Sequence, residues 1–403
     1  MQCKIYLLVL ILLFSSCSNY MTEQSGFFSK FRRGDYSSAA DVLKEKSEKE
    51  GKDQILYLLD RGIALYEAKD YKESIKTLTE AERLSAVKDF TSINEEVVSV
   101  ITTDKYKKFV PLDYERIMIN VYLALSYFML GQYEDALVEC RRINNLVYVL
   151  KNRGMKDFEE VPLARYVSGM IYETQGKYDS ARIDYLKVVE LNPLFTQAIY
   201  DAYRCARLGN NVYIASTISN KYPNLKLKES FEKRCKSCGN LVVLLSYGEI
   251  PVKRQSRNNN MLPEFYTRTY SSAKLDLYSD QGKKISSGED LLDLETVARK
   301  NLNERIGRIM AKRLLGVGAQ VAIGYGVAKA TDNDALGVLA GLLLHSTSSP
   351  DTRSWSTLPR YYYVARTSLE PGLQKVKIST DIEMEKTFEI NNGKLVLDPI
   401  RIN

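Results

Sequence analysis

A single histidine, His345, stands among the 403 residues. That scarcity removes much chemistry, because no second histidine can complete a zinc site, a Ser-His pair or a Cys-His pair. His345 follows Leu342-Leu343-Leu344 and reads as a helix-end or surface residue. Gly-x-Ser-x-Gly, a phosphate-binding loop and His-Glu-x-x-His are absent. Gly316-Val317-Gly318 lacks the third glycine of a dinucleotide fingerprint and follows a helical pattern instead of a strand. The chain therefore reads as non-enzymatic, with no catalytic residue, no metal and no cofactor. No basic block exists either: the 57 Lys and Arg are spread along the chain, so the net charge of +7 does not indicate nucleic-acid binding. At most it favours acidic partners or anionic surfaces. An apolar content of 45% and a charged content of 27% are ordinary for globular protein, so two or three domains with sizeable cores are expected.

Uninterrupted apolar runs are few, and the first is the most informative. Met1-Gln2-Cys3-Lys4 is short and mildly basic, Ile5 to Phe14 is wholly apolar, and Ser15-Ser16-Cys17 ends it. This order is that of a secretory signal, and the apolar run is shorter than a spanning helix requires. With a Cys at the cut position it resembles a bacterial lipoprotein signal, although Phe14 replaces the usual Leu. The resemblance implies a signal over residues 1–16, acylation (palmitate among the chains) of Cys17 as the new N-terminus, and membrane anchoring through more than one acyl chain. Ser18 in place of Asp implies the outer membrane, on its periplasmic or surface side. An ordinary secretory signal or an N-terminal anchor is the alternative. Of the six cysteines, Cys140, Cys205, Cys235 and Cys238 then remain; four allow three pairings, and the sequence does not choose.

Four turns recur in the first half: Gly34-Asp35-Tyr36, Lys69-Asp70-Tyr71, Gly131-Gln132-Tyr133 and Gly176-Lys177-Tyr178, each opening an apolar helical pattern. The Tyr spacings are 35, 62 and 45 residues, which a unit of about 34 explains with inserts near Leu84–Leu112 and Val149–Glu160. Seven residues before three of the turns stand Gly62, Ala124 and Gly169. Tyr127 and Tyr172 lie four before theirs, and Pro193 stops the last helix. This pattern resembles the tetratricopeptide repeat family, with 165–193 its best unit. The departures are Leu58, Asn120 and Arg165 where a bulky residue heads the first helix, and Phe27 where a small one belongs, which suggests a cap. A further pair is expected at Thr196–Leu208 and Val212–Tyr222. The resemblance implies an α-solenoid whose groove binds a protein partner.

Beyond about residue 231 the texture changes. Leu241–Leu245 reads as a buried strand and Thr267–Tyr278 as another. Four more are expected at Arg360–Ser368, Leu373–Thr380, Glu385–Ile390 and Leu395–Ile402, with Glu370-Pro371-Gly372 and Asn391-Asn392-Gly393 as hairpin turns. Leu369–Ile378 loosely resembles the turn and strand of small extracellular β-sandwich modules. A helical insertion is expected over 289–345. Within it Gly318, Ala322, Gly326 and Ala330 put a smooth stripe on one face, read either as a hairpin packed on the sheet or as an oligomerising or membrane-touching device over 314–344. Cys235-Lys236-Ser237-Cys238 sits between a helix and a strand, the reverse of a redox motif, and reads as a local disulfide or free thiols. Asp351-Thr352-Arg353-Ser354-Trp355 contains the only Trp; Arg353 can pair with Asp351 and pack over Trp355, as a structural corner or as a recognition patch.

The layout as a whole resembles a family of bacterial outer-membrane lipoproteins that join tetratricopeptide repeats to a C-terminal β-rich domain, and in which Asp-x-Arg-Ser-Trp-x-x-Leu-Pro precedes the last strands. Its members resemble neighbours of lipoproteins that act with peptidoglycan synthases. The expected fold class is α+β: a repeat domain over 17–230, then a β-sandwich or meander over 231–403. The expected role is a lipid-anchored, non-enzymatic scaffold in envelope assembly with an envelope protein as partner. Self-association through 314–344 is the alternative, with a homo-oligomer as its product.

Overall fold

The computed structural model describes residues 20–95, 108–152, 160–257, 262–270, 273–304 and 350–403. Cys17 and the 314–344 segment lie outside them. A one-turn helix α1 (Tyr20–Glu23) precedes five helical pairs: α2 (Ser25–Arg32) with α3 (Tyr36–Glu48), α4 (Gln54–Glu67) with α5 (Tyr71–Glu95), α6 (Asp113–Met129) with α7 (Tyr133–Asn152), α8 (Pro162–Thr174) with α9 (Tyr178–Leu191), and α10 (Gln197–Leu208) with α11 (Val212–Lys221). A short α12 (Leu227–Glu232) closes the array.

One device makes all five turns. The second residue after each first helix is left-handed: Gly34, Lys69, Gly131, Gly176 and Asn210, with φ between 57° and 78°. The next N–H then reaches back five residues, as from Gln132 to the Tyr127 carbonyl and from Lys177 to the Tyr172 carbonyl, both at 2.9 Å. This satisfies a carbonyl that the helix end would otherwise orphan. Two of the small residues also show their reason. A Cβ on Gly62 would lie 2.4 Å from Leu78, and one on Gly169 would lie 2.7 Å from the Tyr185 ring. At two missing bulky positions a polar contact joins the helices: Asn120 Nδ2 donates to Glu139 (2.9 Å) and Arg165 Nη1 to Asp184 (3.2 Å).

The C-terminal half is a sandwich. Strands β1 (Gly239–Tyr247), β6 (Glu289–Asp293), β7 (Tyr361–Leu369) and β10 (Leu395–Ile402) form one sheet in the order β10-β1-β7-β6. Strands β4 (Asp276–Ser279), β5 (Lys284–Ser287), β8 (Gly372–Ser379) and β9 (Glu383–Ile390) form the second, in the order β5-β4-β8-β9. A separate ribbon pairs β2 (Val252–Gln255) with β3 (Pro263–Tyr266). In β1, Leu241, Val243 and Leu245 face the second sheet, while Val242 and Leu244 join the helical core. Burial on both faces is why this strand is a continuous apolar run and not an alternating one. The molecule is thus three layers: helices, first sheet, second sheet.

Three expectations need correction. Glu370-Pro371-Gly372 and Asn391-Asn392-Gly393 do not make hairpins: β7 and β10 pair with β1, whereas β8 and β9 pair with each other, so both turns cross between sheets. Thr267–Tyr278 is not one strand. Among the described residues of this range only those of Asp276–Ser279 form a strand, while Thr267 and Tyr270 bond instead to Glu295 and to the Glu249 N–H as the chain rounds the sheet. The insertion does not begin helical at 289: Glu289–Asp293 is the edge strand β6, and a helix spans 294–304, buried through Leu294, Val297, Ala298 and Leu302.

Candidate functional site

The face lined by the first helices is the one such arrays offer as a groove. Here the sandwich covers it. The side chains of α2, α4, α6, α8 and α10 each meet the second half of the chain. Arg32 of α2 pairs with Glu249 at 2.6 Å, and Asp60 of α4 accepts from the Thr357 hydroxyl at 2.7 Å. On α6, Glu115 accepts from the Trp355 N–H at 2.7 Å and the Tyr122 hydroxyl meets that of Tyr362 at 3.2 Å. Glu173 of α8 and Asp201 of α10 meet Arg366 of β7 at 2.8 and 3.5 Å. Trp355 is fully buried against the Tyr122 ring, 6.1 Å between centroids.

The Asp351, Arg353 and Trp355 patch is therefore engaged inside the chain. Arg353 forks onto Asp351 at 2.6 and 2.9 Å and reaches Asp53, just before α4, at 2.5 Å. Its guanidinium packs over Phe109, not over Trp355. Cys235 and Cys238 form a disulfide, while Cys140 and Cys205 are free and buried. Burial pushes the Cys140 thiol up to about 12, which silences it as a nucleophile.

The sequence left the charged junction unread. Burial raises the Glu173 carboxyl, but the Arg204 and Arg366 guanidiniums more than offset this and hold it well below the usual range. Asp60 shows the opposite balance. Its hydrogen bonds from Thr357 and Tyr20 favour the charged form, yet full burial outweighs them and lifts it to about 7. The available signal was a charge set inside an apolar pattern: Asp60 within Leu58–Ile63, and Arg366 after Tyr362-Tyr363-Val364-Ala365.

Beside this network opens a cleft of about 410 Å³ between α10, α12, the disulfide loop and the ends of β1 and β7. Glu173, Arg204 and Arg366 line it, with Arg234, Lys236 and the disulfide. Tyr200, Tyr203 and Phe231 give it an aromatic component.

The family model described as "Tetratricopeptide repeat" matches residues 163–193, which cover α8 and α9. No curated protein matches the chain. Among solved structures it is similar to the MamA protein (16% identity, 52% of this chain and 92% of that one, TM-score 0.34). It is similar also to a tetratricopeptide repeat protein from Parabacteroides merdae (19%, 52% and 65%, TM-score 0.33). A third is the Rap conjugation gene regulator of plasmid pLS20 in complex with the Phr* peptide (13%, 52% and 56%, TM-score 0.31).

Proposed function

We propose that the chain is a lipid-anchored, non-enzymatic scaffold of the bacterial outer membrane that holds a protein partner in envelope assembly. The observation that carries the reading is the tetratricopeptide-like array, whose recurrent turns and interlocked helix pairs build an extended surface suited to binding. Because the sandwich fills the first-helix face, the partner docks on the outer face made by the second helices. Ile183 of α9 and Val212 and Tyr213 of α11 are exposed there, at 58, 62 and 80%. Exposed apolar and aromatic side chains of this kind mark interaction surfaces. The lipobox-like start supports anchoring through Cys17.

The test is crosslinking and capture of the full chain from intact cells. Cys17→Ser is expected to move the chain from the membrane to the soluble fraction. Ile183→Glu with Tyr213→Glu is expected to abolish capture of one specific envelope protein while leaving the fold intact by circular dichroism. Capture that survives the double substitution rules out the outer face. Recovery of the chain alone, lost on Gly318→Leu and Gly326→Leu, shifts the reading to self-association through 314–344.

A further inference from the structure

The cleft beside the junction carries a charge that the chain itself does not balance. Four of the buried groups there neutralise one another. Arg204 pairs with Glu173 at 2.9 Å and Asp201 at 2.7 Å, and Arg366 pairs with the same two carboxylates. Beyond this set stand Arg207, Arg234 and Lys236, none with a carboxylate partner among the described residues. The Arg234 guanidinium lies 3.5 Å from the centre of the Phe231 ring, and that of Arg207 lies 4.9 Å from it. One aromatic ring thus holds two like charges near each other. Nη1 of Arg234 donates to the Phe231 carbonyl and that of Arg207 to the Tyr203 hydroxyl. The rest of the Arg234 fork has no protein acceptor among the described residues. Burial and the charges of Arg207 and Arg204 push the Arg234 guanidinium down from its ordinary value, the direction an approaching anion reverses.

The loop that presents these cations is fixed at both ends. Cys235 and Cys238 close it by their disulfide. Gly239 then passes so close to the β9–β10 turn that a Cβ would lie 2.5 Å from the Asn391 carbonyl, and the Gly393 N–H donates to the Cys238 carbonyl. The backbone that carries Arg234 and Lys236 is therefore fixed at the cleft, and the contacts of Arg234 with Phe231 hold its side chain there.

We infer that this cleft binds a small ligand with an oxyanion head group, taken by Arg234 and Lys236, and a flat apolar body that packs among Tyr200, Tyr203 and Phe231. A volume of about 410 Å³ is that of a small-molecule site. A planar guanidinium fork suits either phosphate or carboxylate, so both sources of the head group are tested. The site is distinct from the outer-face partner surface and does not rest on it.

Isothermal titration of the full-length chain in detergent uses phenyl phosphate, phenylacetate and, as neutral control, benzyl alcohol. At least one anionic probe is expected to bind and the alcohol not to; the tighter of the two identifies the head group. Arg234→Gln is expected to weaken binding about ten-fold or more, the scale of one lost charge-assisted hydrogen bond. Because Arg234 also stacks on Phe231, Lys236→Gln on an exposed side chain is the second variant, expected to weaken binding several-fold without moving Tm. Failure of both anions to bind overturns the assignment. So does equal binding of the alcohol, or full affinity in both variants.

Discussion

Arg366 and Glu173, 193 positions apart, meet at 2.8 Å across the junction of array and sandwich, their side chains 2 and 8% exposed. Each is costly to bury alone, and each has a second partner, Asp201 for Arg366 and Arg204 for Glu173. Removing one member leaves uncompensated charge in a dry site. Arg366→Met is expected to cost about 3–5 kcal/mol in urea unfolding. It is also expected to red-shift the emission of Trp355, the only Trp and fully buried in the same junction. An unchanged spectrum and midpoint would show that the four-residue network does not hold the halves together.

The junction titrates in two directions. Glu173 is depressed, so the stability it contributes is present above the ordinary carboxylate range and lost as pH falls through its folded value. Asp60 is raised from 3.8 to about 7, so the folded state gives up stability as pH climbs between those values, on the order of 4 kcal/mol. Mild acid, with Glu173 charged and Asp60 neutral, is therefore the most stable condition. Asp60→Asn keeps an acceptor for Thr357 and removes the titration. It is expected to shrink the fall in Tm between pH 5 and pH 8, while Glu67, which burial also lifts to about 7, maintains part of it. An identical fall in the variant would contradict the assignment.

The local layer of the fold was legible in the sequence and the tertiary layer only in part. The turns at Gly34, Lys69, Gly131 and Gly176 declare themselves because a left-handed residue and a following Tyr are chemical necessities of one short motif. Leu241–Leu245 declared its double burial by failing to alternate. Strand partners could not be read the same way. A Pro-Gly or Asn-Asn-Gly turn permits a reversal within a sheet or a step to the facing one, and only the pairing of β8 with β4 and of β9 with β8 decides. The covered groove was illegible for a similar reason. Asp53, Glu115, Glu173 and Asp201 look like an ordinary solvated helix face until Arg353, Trp355 and Arg366, up to 300 positions away, arrive on it.

Lys69 is the one turn residue of the first four that is not glycine, yet its φ is 64°. A side chain in this conformation costs about 1–2 kcal/mol, and glycine returns part of that gain as extra freedom in the unfolded chain. Its backbone N–H already bonds the Tyr66 carbonyl at 2.9 Å, so glycine changes no contact there. Lys69→Gly is expected to stabilise by about 0.5–1 kcal/mol in urea unfolding. A loss of stability would mean that the Lys69 side chain contributes more than its backbone costs.

Three of the helix pairs are matched by size at one corresponding position. Gly169 of α8 faces Tyr185 of α9, and Gly62 of α4 faces Leu78 of α5. In the third pair Ala124 stands at that place in α6, and the corresponding residue of α7 is the smaller Cys140. A helix-interior glycine is otherwise a liability, and Gly→Ala would by itself gain about 1 kcal/mol of helix propensity. Gly169→Ala is expected to lose it again and more. The new Cβ would press on the Tyr185 ring, which cannot yield, because it is fully buried, stacks on Tyr166 at 5.4 Å and donates its hydroxyl to Glu173 at 2.8 Å. Overpacking of this kind costs about 1–3 kcal/mol. Tyr185→Cys alone is also destabilising, since it empties the site. Together they reproduce the Ala–Cys combination of the third pair. The double variant is therefore expected to be more stable than the sum of the two single losses predicts, by about 0.5–3 kcal/mol in a urea double-mutant cycle. Strict additivity would show that Gly169 serves the helix backbone and not the fit to Tyr185.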